Sequence, residues 1–387
     1  MTITARALTR TRLSVPPIPR WLREGGSAWL ATRMALLASL IAAYIVAVNT
    51  HGTVSLARWD TTWYTRIAQH GYTTSQSANF FPLLPVLEAV VGRLLAGGGE
   101  PSVPQLVAAG LVVSAVAMLV AFCAFWALVS FEADARTARA AVMLLAAYPF
   151  AVFLGAAYTE GPFLAMALVY FLGVRRRRWW AAVAAGLAAG LLRPVAPLLG
   201  IALLVELALE VLSRRTELAS LKHRLLVAAS PFAGTGLYSA YLWLRFGDPF
   251  LFLHTQGRYW KHVFAWPWQT LVLAFEHLSP RHPGLMPVGL ALLIVFMTLA
   301  VGVLARMRPA YGVFTAGVVL AVLTAPTPAA RDVIPSAGRY LLPAFPAFWM
   351  AARWVAGRPW LEFTLLAIAF PLQAAFTVLF LLGGPIF

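Results

Sequence analysis

Leu106–Val129 runs the thickness of a bilayer without one charged side chain. A helix crossing the hydrocarbon core needs roughly 17–25 mostly apolar residues. Comparable runs recur at Trp29–Val48, Ala138–Gly155, Pro162–Val174, Trp179–Leu192, Val195–Leu212, Leu225–Leu244, Leu285–Ala305, Tyr311–Ala325, Tyr340–Val355 and Leu361–Leu382. They predict about eleven spans, with the short pairs turning tightly near Tyr158 and Arg193. The chain is 61% hydrophobic and 11% charged, whereas a soluble domain is about half apolar and about a quarter charged. A water-soluble enzyme is thereby excluded. The fold class is an all-α polytopic integral membrane protein.

Between the first two long runs lies Leu83–Leu95, whose apolar residues recur at three and four while Glu88 and Arg93 interrupt any span. That pattern predicts an amphipathic helix lying in the membrane interface. With it placed there, Arg136, Arg139, Arg175–Arg178, Arg214, Arg215, Lys222, Arg224, Arg306, Arg308, Arg353 and Arg358 share one side with the basic stretch 1–28. The positive-inside rule makes that side cytoplasmic. The expected organisation is a cytoplasmic N-terminus (1–28) and one membrane domain (29–387) in the plasma membrane, with a first external loop at 50–104. The long first run ends without an A-x-A-like cleavage site, so a retained helix is expected rather than a signal sequence. The net charge of +16 then speaks of topology and anionic membrane lipids, not of nucleic acid. Cys123 is the single cysteine, which excludes an internal disulfide and cysteine-based metal sites. The Arg175–Arg178 run reads as a topology anchor, and Glu132-Ala133-Asp134 as a solvated loop.

This topology collects Asp60, His70, Glu160, Arg193, Gln256, Arg258, Arg339 and Tyr340 at the external ends of separate segments. Ionisable groups at membrane depth are costly and are functional candidates by default. Each has an ordinary alternative. Asp60, in Trp59-Asp60-Thr61-Thr62-Trp63-Tyr64, sits where a helix N-cap is favoured, and a carboxylate there could equally be a general base. Glu160 could cap the helix that follows it. Arg193 and Arg339 could snorkel or bind an anion. In Gln256-Gly257-Arg258-Tyr259-Trp260 the aromatic residues fit either an interfacial belt or a sugar-stacking wall. His70 fits a satisfied interfacial histidine. No phosphate loop, H-E-x-x-H pair, G-x-S-x-G elbow or D-x-D pair occurs, so neither a metal nor a cofactor is called for. Gly186–Gly190 is a weak helix-packing signal.

Several segments together resemble the PIG-V-like family of GT-C glycosyltransferases (GPI mannosyltransferase 2-like), in its actinobacterial form. They are Trp59-Asp60-Thr61-Thr62-Trp63-Tyr64, Ile67-Ala68-Gln69-His70-Gly71-Tyr72, Phe80-Phe81-Pro82-Leu83-Leu84-Pro85, Ala157-Tyr158-Thr159-Glu160, Leu192-Arg193-Pro194, Arg245-Phe246-Gly247-Asp248-Pro249 with Gln256, and Arg339-Tyr340-Leu341-Leu342-Pro343. The resemblance implies a GT-C fold with interfacial helices in the first external loop and an extracytoplasmic active site. It implies transfer of a sugar, mannose in the family, from a polyprenyl-phosphate carrier to a lipid-linked or cell-envelope acceptor. The family pattern puts the essential acid in the first external loop, here Asp60.

A metal-independent inverting displacement is then expected, with Asp60 as general base and Glu160 assisting it or orienting sugar hydroxyls. Arg193, Arg339 and Arg258 would bind the donor phosphate. Trp59, Trp63, Tyr64, His70, Gln256, Tyr259, Trp260 and Tyr340 would line the sugar and acceptor sites. Two rivals use the same features: a transporter or flippase for a lipid-linked saccharide, and a non-catalytic subunit of a glycosyltransferase complex. A transporter would place its polar groups near the midplane, often in paired repeats. No repeat is visible here.

Overall fold

The computed structural model describes residues 18–213, 218–278, 285–330 and 332–384, and those residues form helices and loops without strands. Arg6, Arg10, Arg12, Arg214 and Arg215 lie outside them. The helices in chain order are α1 (Arg20–Thr50), α2 (Asp60–His70), α3 (Leu83–Leu95), α4 (Val103–Glu132), α5 (Ala135–Ala146) and α6 (Val152–Gly155). Then come α7 (Glu160–Arg175), α8 (Trp179–Gly190), α9 (Pro197–Leu212), α10 (Leu218–Phe246), α11 (Leu251–Trp260) and α12 (Pro267–Glu276). The last are α13 (Met286–Arg306), α14 (Pro309–Leu323), α15 (Ala337–Tyr340), α16 (Phe345–Val355) and α17 (Pro359–Leu382). Five of them, α1, α4, α10, α13 and α17, are each long and apolar enough to cross a membrane. The protein is a multi-pass membrane protein.

The apolar runs emerge as helices, with three differences. First, α1 begins at Arg20, inside the stretch read as a basic tail. Second, Ala138–Gly155 breaks after Ala146 and Tyr340–Val355 breaks between Tyr340 and Phe345. The second break follows the short helix α15, which carries Arg339 and Tyr340, and hydropathy alone does not register it. Third, α3 keeps its predicted bounds but turns differently about its axis. Leu84, Pro85, Glu88 and Gly92 are buried, while Val86, Val90, Leu94 and Leu95 are exposed. Apolar periodicity marks the face that avoids water, and in a membrane protein that face can point at lipid instead of the core.

Ends and packing follow local chemistry. Ser102 and Gln105 form a capping box at the start of α4. Asp134 is an exposed loop residue that also caps α5, its carboxylate accepting from the Arg136 and Thr137 amides at 2.9 Å each. Around α4 pack α1, α3, α5 and α7, and α8 lies between α7 and α10. A Cβ on Gly190 would strike the Pro231 carbonyl of α10, and one on Gly234 the Leu187 carbonyl of α8. Small residues let two backbones approach this closely. The Gly186–Gly190 spacing is therefore a packing motif, with α10 as its partner.

Candidate active site

Two tight turns and one short helix bring four ionic side chains together. Asp60 opens α2, Glu160 opens α7, Arg193 sits in the turn between α8 and α9, and Arg339 lies on α15. Neither acid caps its own helix. Instead Arg339 Nη2 lies 2.6 Å from Asp60 Oδ2, and Arg339 Nε donates to Glu160 Oε1. Arg193 Nη1 donates to the same Glu160 oxygen at 2.5 Å. The charges alternate, negative to positive, along Asp60, Arg339, Glu160 and Arg193. Their sum is zero, the condition on which buried ions survive in low dielectric.

Burial sorts the two acids. The Glu160 side chain is 0% exposed and Asp60 is 24% exposed. Only Asp60 reaches the adjoining hollow of about 830 Å³. Its Oδ1 has no hydrogen bond from a described residue, so Arg339 occupies one oxygen and leaves the other open. Glu160 Oε1 accepts from both guanidinium groups, and its Oε2 is buried without a partner among the described residues.

Aromatic residues build the rest. The Arg339 guanidinium lies 4.6 Å from the Tyr158 ring centre and 5.2 Å from that of Phe153. Arg193 lies 5.5 Å from the Tyr340 ring centre. Cation–π stacking holds planar guanidinium groups in plane as well as in place. Tyr158 Oη donates to the Arg58 carbonyl at 3.0 Å and accepts from the Asp60 amide at 3.3 Å, tying the start of α2 to the α6–α7 turn. Trp59 enters α2 at φ +52°, a left-handed conformation that costs a non-glycine residue free energy and recurs at functional sites. Tyr64 bonds Thr159 at 3.3 Å. Burial, with Asp60 and Glu160 nearby, pushes its phenol above the ordinary range.

Of the residues singled out in the sequence, Trp59, Asp60, Trp63, Tyr64, Arg193, Gln256, Tyr259, Trp260, Arg339 and Tyr340 all line this hollow. Trp63 stacks on Phe80 at 5.3 Å, and Phe80 meets Trp260 edge-on at 5.9 Å. One aromatic wall thus joins α2 to α11. His70, at the exposed end of α2, and Arg258, exposed on α11, do not line the hollow. Leu192, Pro194, Val195, Val318, Ala321, Val322 and Ile334 give it an apolar wall.

The sequence reading missed Tyr158, Gln76, Asn79, His262 and Thr327. Tyr158 stands in a motif already quoted, two residues before Glu160. Gln76 and Asn79 sit in a short 3₁₀ turn, Ser75–Asn79, and His262 and Thr327 in loops, none with a telling pattern, and only the fold brings them to the hollow. Both amide atoms of Asn79 are buried without a partner among the described residues. No three His, Cys, Asp or Glu side chains converge to hold a metal among the described residues.

Comparison with known proteins follows the same lines. Residues 30–193 match the family model Mannosyltransferase (PIG-V). No curated protein matches the sequence. Among solved structures, ArnT from Cupriavidus metallidurans bound to undecaprenyl phosphate is 16% identical, with a TM-score of 0.48, over 90% of this chain and 75% of that one. The Archaeoglobus fulgidus oligosaccharyltransferase, in complex with Zn and sulfate, is 16% identical, with a TM-score of 0.45, over 86% of this chain. This chain spans 50% of the length of that oligosaccharyltransferase. Asp60, Glu160 and Arg193 fall inside the matched segment and Arg339 outside it. Over residues 30–193 the chain carries the sequence pattern of the mannosyltransferase (PIG-V) family.

Proposed function

We propose that the protein is a membrane glycosyltransferase that moves a sugar, mannose by its family likeness, from a polyprenyl-phosphate carrier to a hydroxyl of a lipid-linked or cell-envelope acceptor. One observation carries the reading: an ion row that ends in a half-open carboxylate, set between an aromatic and an apolar wall. The acceptor oxygen attacks the anomeric carbon while Asp60 Oδ1 takes its proton. The bond from that carbon to the phosphate oxygen breaks, and its electron pair leaves with the polyprenyl phosphate. The sugar inverts in a single displacement.

Arg339 and Arg193 border the hollow with their guanidinium groups already oriented by Glu160 and the rings beneath them. Preorganised cations stabilise the charge growing on a leaving phosphate at little reorganisation cost. Arg is suited to this because its planar fork matches phosphate oxygens. The apolar wall around Val195, Val318 and Val322 takes the first isoprene units, and Trp63 and Trp260 flank the sugar. In this reading the site faces away from the cytoplasm, as the distribution of basic residues requires.

The test uses purified full-length protein in liposomes with radiolabelled polyprenyl-phosphate mannose and membrane extract as acceptor source. Wild type transfers label to an extractable product. Asp60→Asn still folds, melting somewhat lower because Arg339 loses one of its two carboxylates, and loses on the order of a hundredfold or more in rate per folded molecule. Lipid movement without transfer, or a folded Asp60→Asn variant at full rate, overturns the proposal.

A further inference from the structure

His262 lies in the loop between α11 and α12 and lines the same hollow as Asp60. Its Nδ1 is 2.8 Å from the Ala325 carbonyl oxygen and 3.2 Å from Thr327 Oγ1. A carbonyl oxygen can only accept, so the hydrogen must be on Nδ1. In the neutral ring that leaves Nε2 as a bare acceptor. Among the described residues nothing donates to it.

The mount is rigid. Val263 N donates to the Pro326 carbonyl at 3.1 Å and Ala265 N to the Thr324 carbonyl at 3.2 Å, clamping the His262 loop to the segment after α14. His262 N also reaches the Gln256 carbonyl at 3.3 Å. The charged and titratable groups on the hollow are Asp60, Arg193, Arg339, Tyr64, Tyr158, Tyr259 and Tyr340. None of them hydrogen-bonds the imidazole. Partial burial lowers the affinity of the ring for a second proton, which keeps the acceptor form populated at neutral pH.

We infer that His262 is a sugar-binding residue of the hollow, its Nε2 accepting a hydrogen bond from a ligand hydroxyl. A fixed acceptor with no protein donor is the complement of a hydroxyl, and the aromatic wall of Trp63, Phe80 and Trp260 is the complement of a pyranose face. Asn79, whose amide is buried without a partner among the described residues, lines the same hollow. The choice of a sugar as ligand class rests on the transferase reading above.

Two variants separate this role from a merely structural tie. His262→Asn keeps an N–H where Nδ1–H stands and so preserves the bond to Ala325, but it ends short of Nε2. His262→Gln extends an amide oxygen toward the Nε2 position and gives up the tie. The probe is a short-chain alkyl mannoside, titrated calorimetrically into full-length protein and each variant in nanodiscs, and followed in wild type also by the ¹⁵N shift of the His262 ring. In wild type, Nε2 shifts saturably. His262→Asn melts near wild type and binds about five- to tenfold more weakly, the effect of one neutral hydrogen bond. His262→Gln melts lower and binds within about threefold of wild type. Wild-type affinity falls as the ring protonates at acid pH, and the His262→Gln variant lacks that fall.

No saturable Nε2 shift in wild type, or unchanged affinity in His262→Asn, overturns the inference. Wild type that binds the mannoside through Nε2 yet transfers nothing overturns the transferase reading and leaves this one standing.

Discussion

The two ends of α7 carry the same chemistry arranged for opposite purposes. At the first end, Glu160 joins Arg339 and Arg193, and the row stops at Asp60 with an oxygen turned to the hollow. At the other, about 24 Å along the helix by its rise per residue, Arg175 grips Glu206 through both Nη atoms at 2.5 and 2.8 Å. There Arg175 Nε also lies 2.9 Å from Glu132 and 3.1 Å from Tyr311 Oη. Glu206 accepts the Ala310 amide at 3.2 Å as well. Arg224 closes on Glu210 at 2.5 Å and Arg308 on Glu132 at 3.2 Å. Hollows of about 510 and 1000 Å³ open there too, but their buried acids are spent on arginines. A saturated cluster fastens helices together. The first end leaves an Asp60 oxygen on the hollow, and the proposed reaction uses it.

If that contrast is right, the two ends fail differently. Glu206→Gln leaves Arg175 buried beside a neutral partner, and breaking such a pair typically costs about 3–5 kcal/mol. A large fall in melting temperature is expected, with ordinary turnover per folded molecule. Asp60→Asn should act mainly on rate, losing about a hundredfold, equivalent to about 2.7 kcal/mol of barrier, with a smaller fall in melting because Asp60 is partly exposed and Arg339 keeps Glu160. Measuring both quantities on both variants breaks the comparison if Glu206→Gln loses rate per folded molecule or Asp60→Asn keeps it. Arg193→Lys is smaller: it keeps the charge and forfeits the fork and the stacking on Tyr340. A fall of about tenfold in transfer is expected, on the scale of one hydrogen bond to a charged group. A twofold fall or less would make Arg193 a plain anchor at the interface.

The sequence revealed one end of α7 far better than the other. Asp60, Glu160, Arg193 and Arg339 stood out because each interrupts apolar or aromatic surroundings where an ion is costly. Arg175 did not, because it is the first of four consecutive arginines and a basic run reads as a topology anchor. Its carboxylate partners arrive from α4 and α9, which no local pattern announces. His262 and Asn79 were invisible for a related reason. Their chemistry depends on which loop lies across from them, and hydropathy has no reach across space. The rotation of α3 shows the limit within a single helix. Periodicity locates an apolar stripe without saying whether protein or lipid covers it.

Glu88 tests that rotation on its own. The α3 turn observed here places it fully buried, with both oxygens unpartnered among the described residues and the Gly110 backbone of α4 against it. Burial without compensation pushes its carboxyl up to about 9, so the folded protein holds this proton at neutral pH while an unfolded carboxyl near its ordinary 4.5 does not. The folded state therefore binds more protons than the unfolded one between about pH 4.5 and 9, and stability falls as pH rises through that window. Glu88→Gln removes the titration. The melting temperature in detergent should then rise at pH 8, by the equivalent of about 1 kcal/mol or more, because only the wild type must take up a proton on folding. The gain should shrink as pH falls and vanish below about pH 4.5, where the wild-type side chain is neutral in both states. A variant that melts like wild type at every pH would return Glu88 to the exposed side of α3 and undo the rotation.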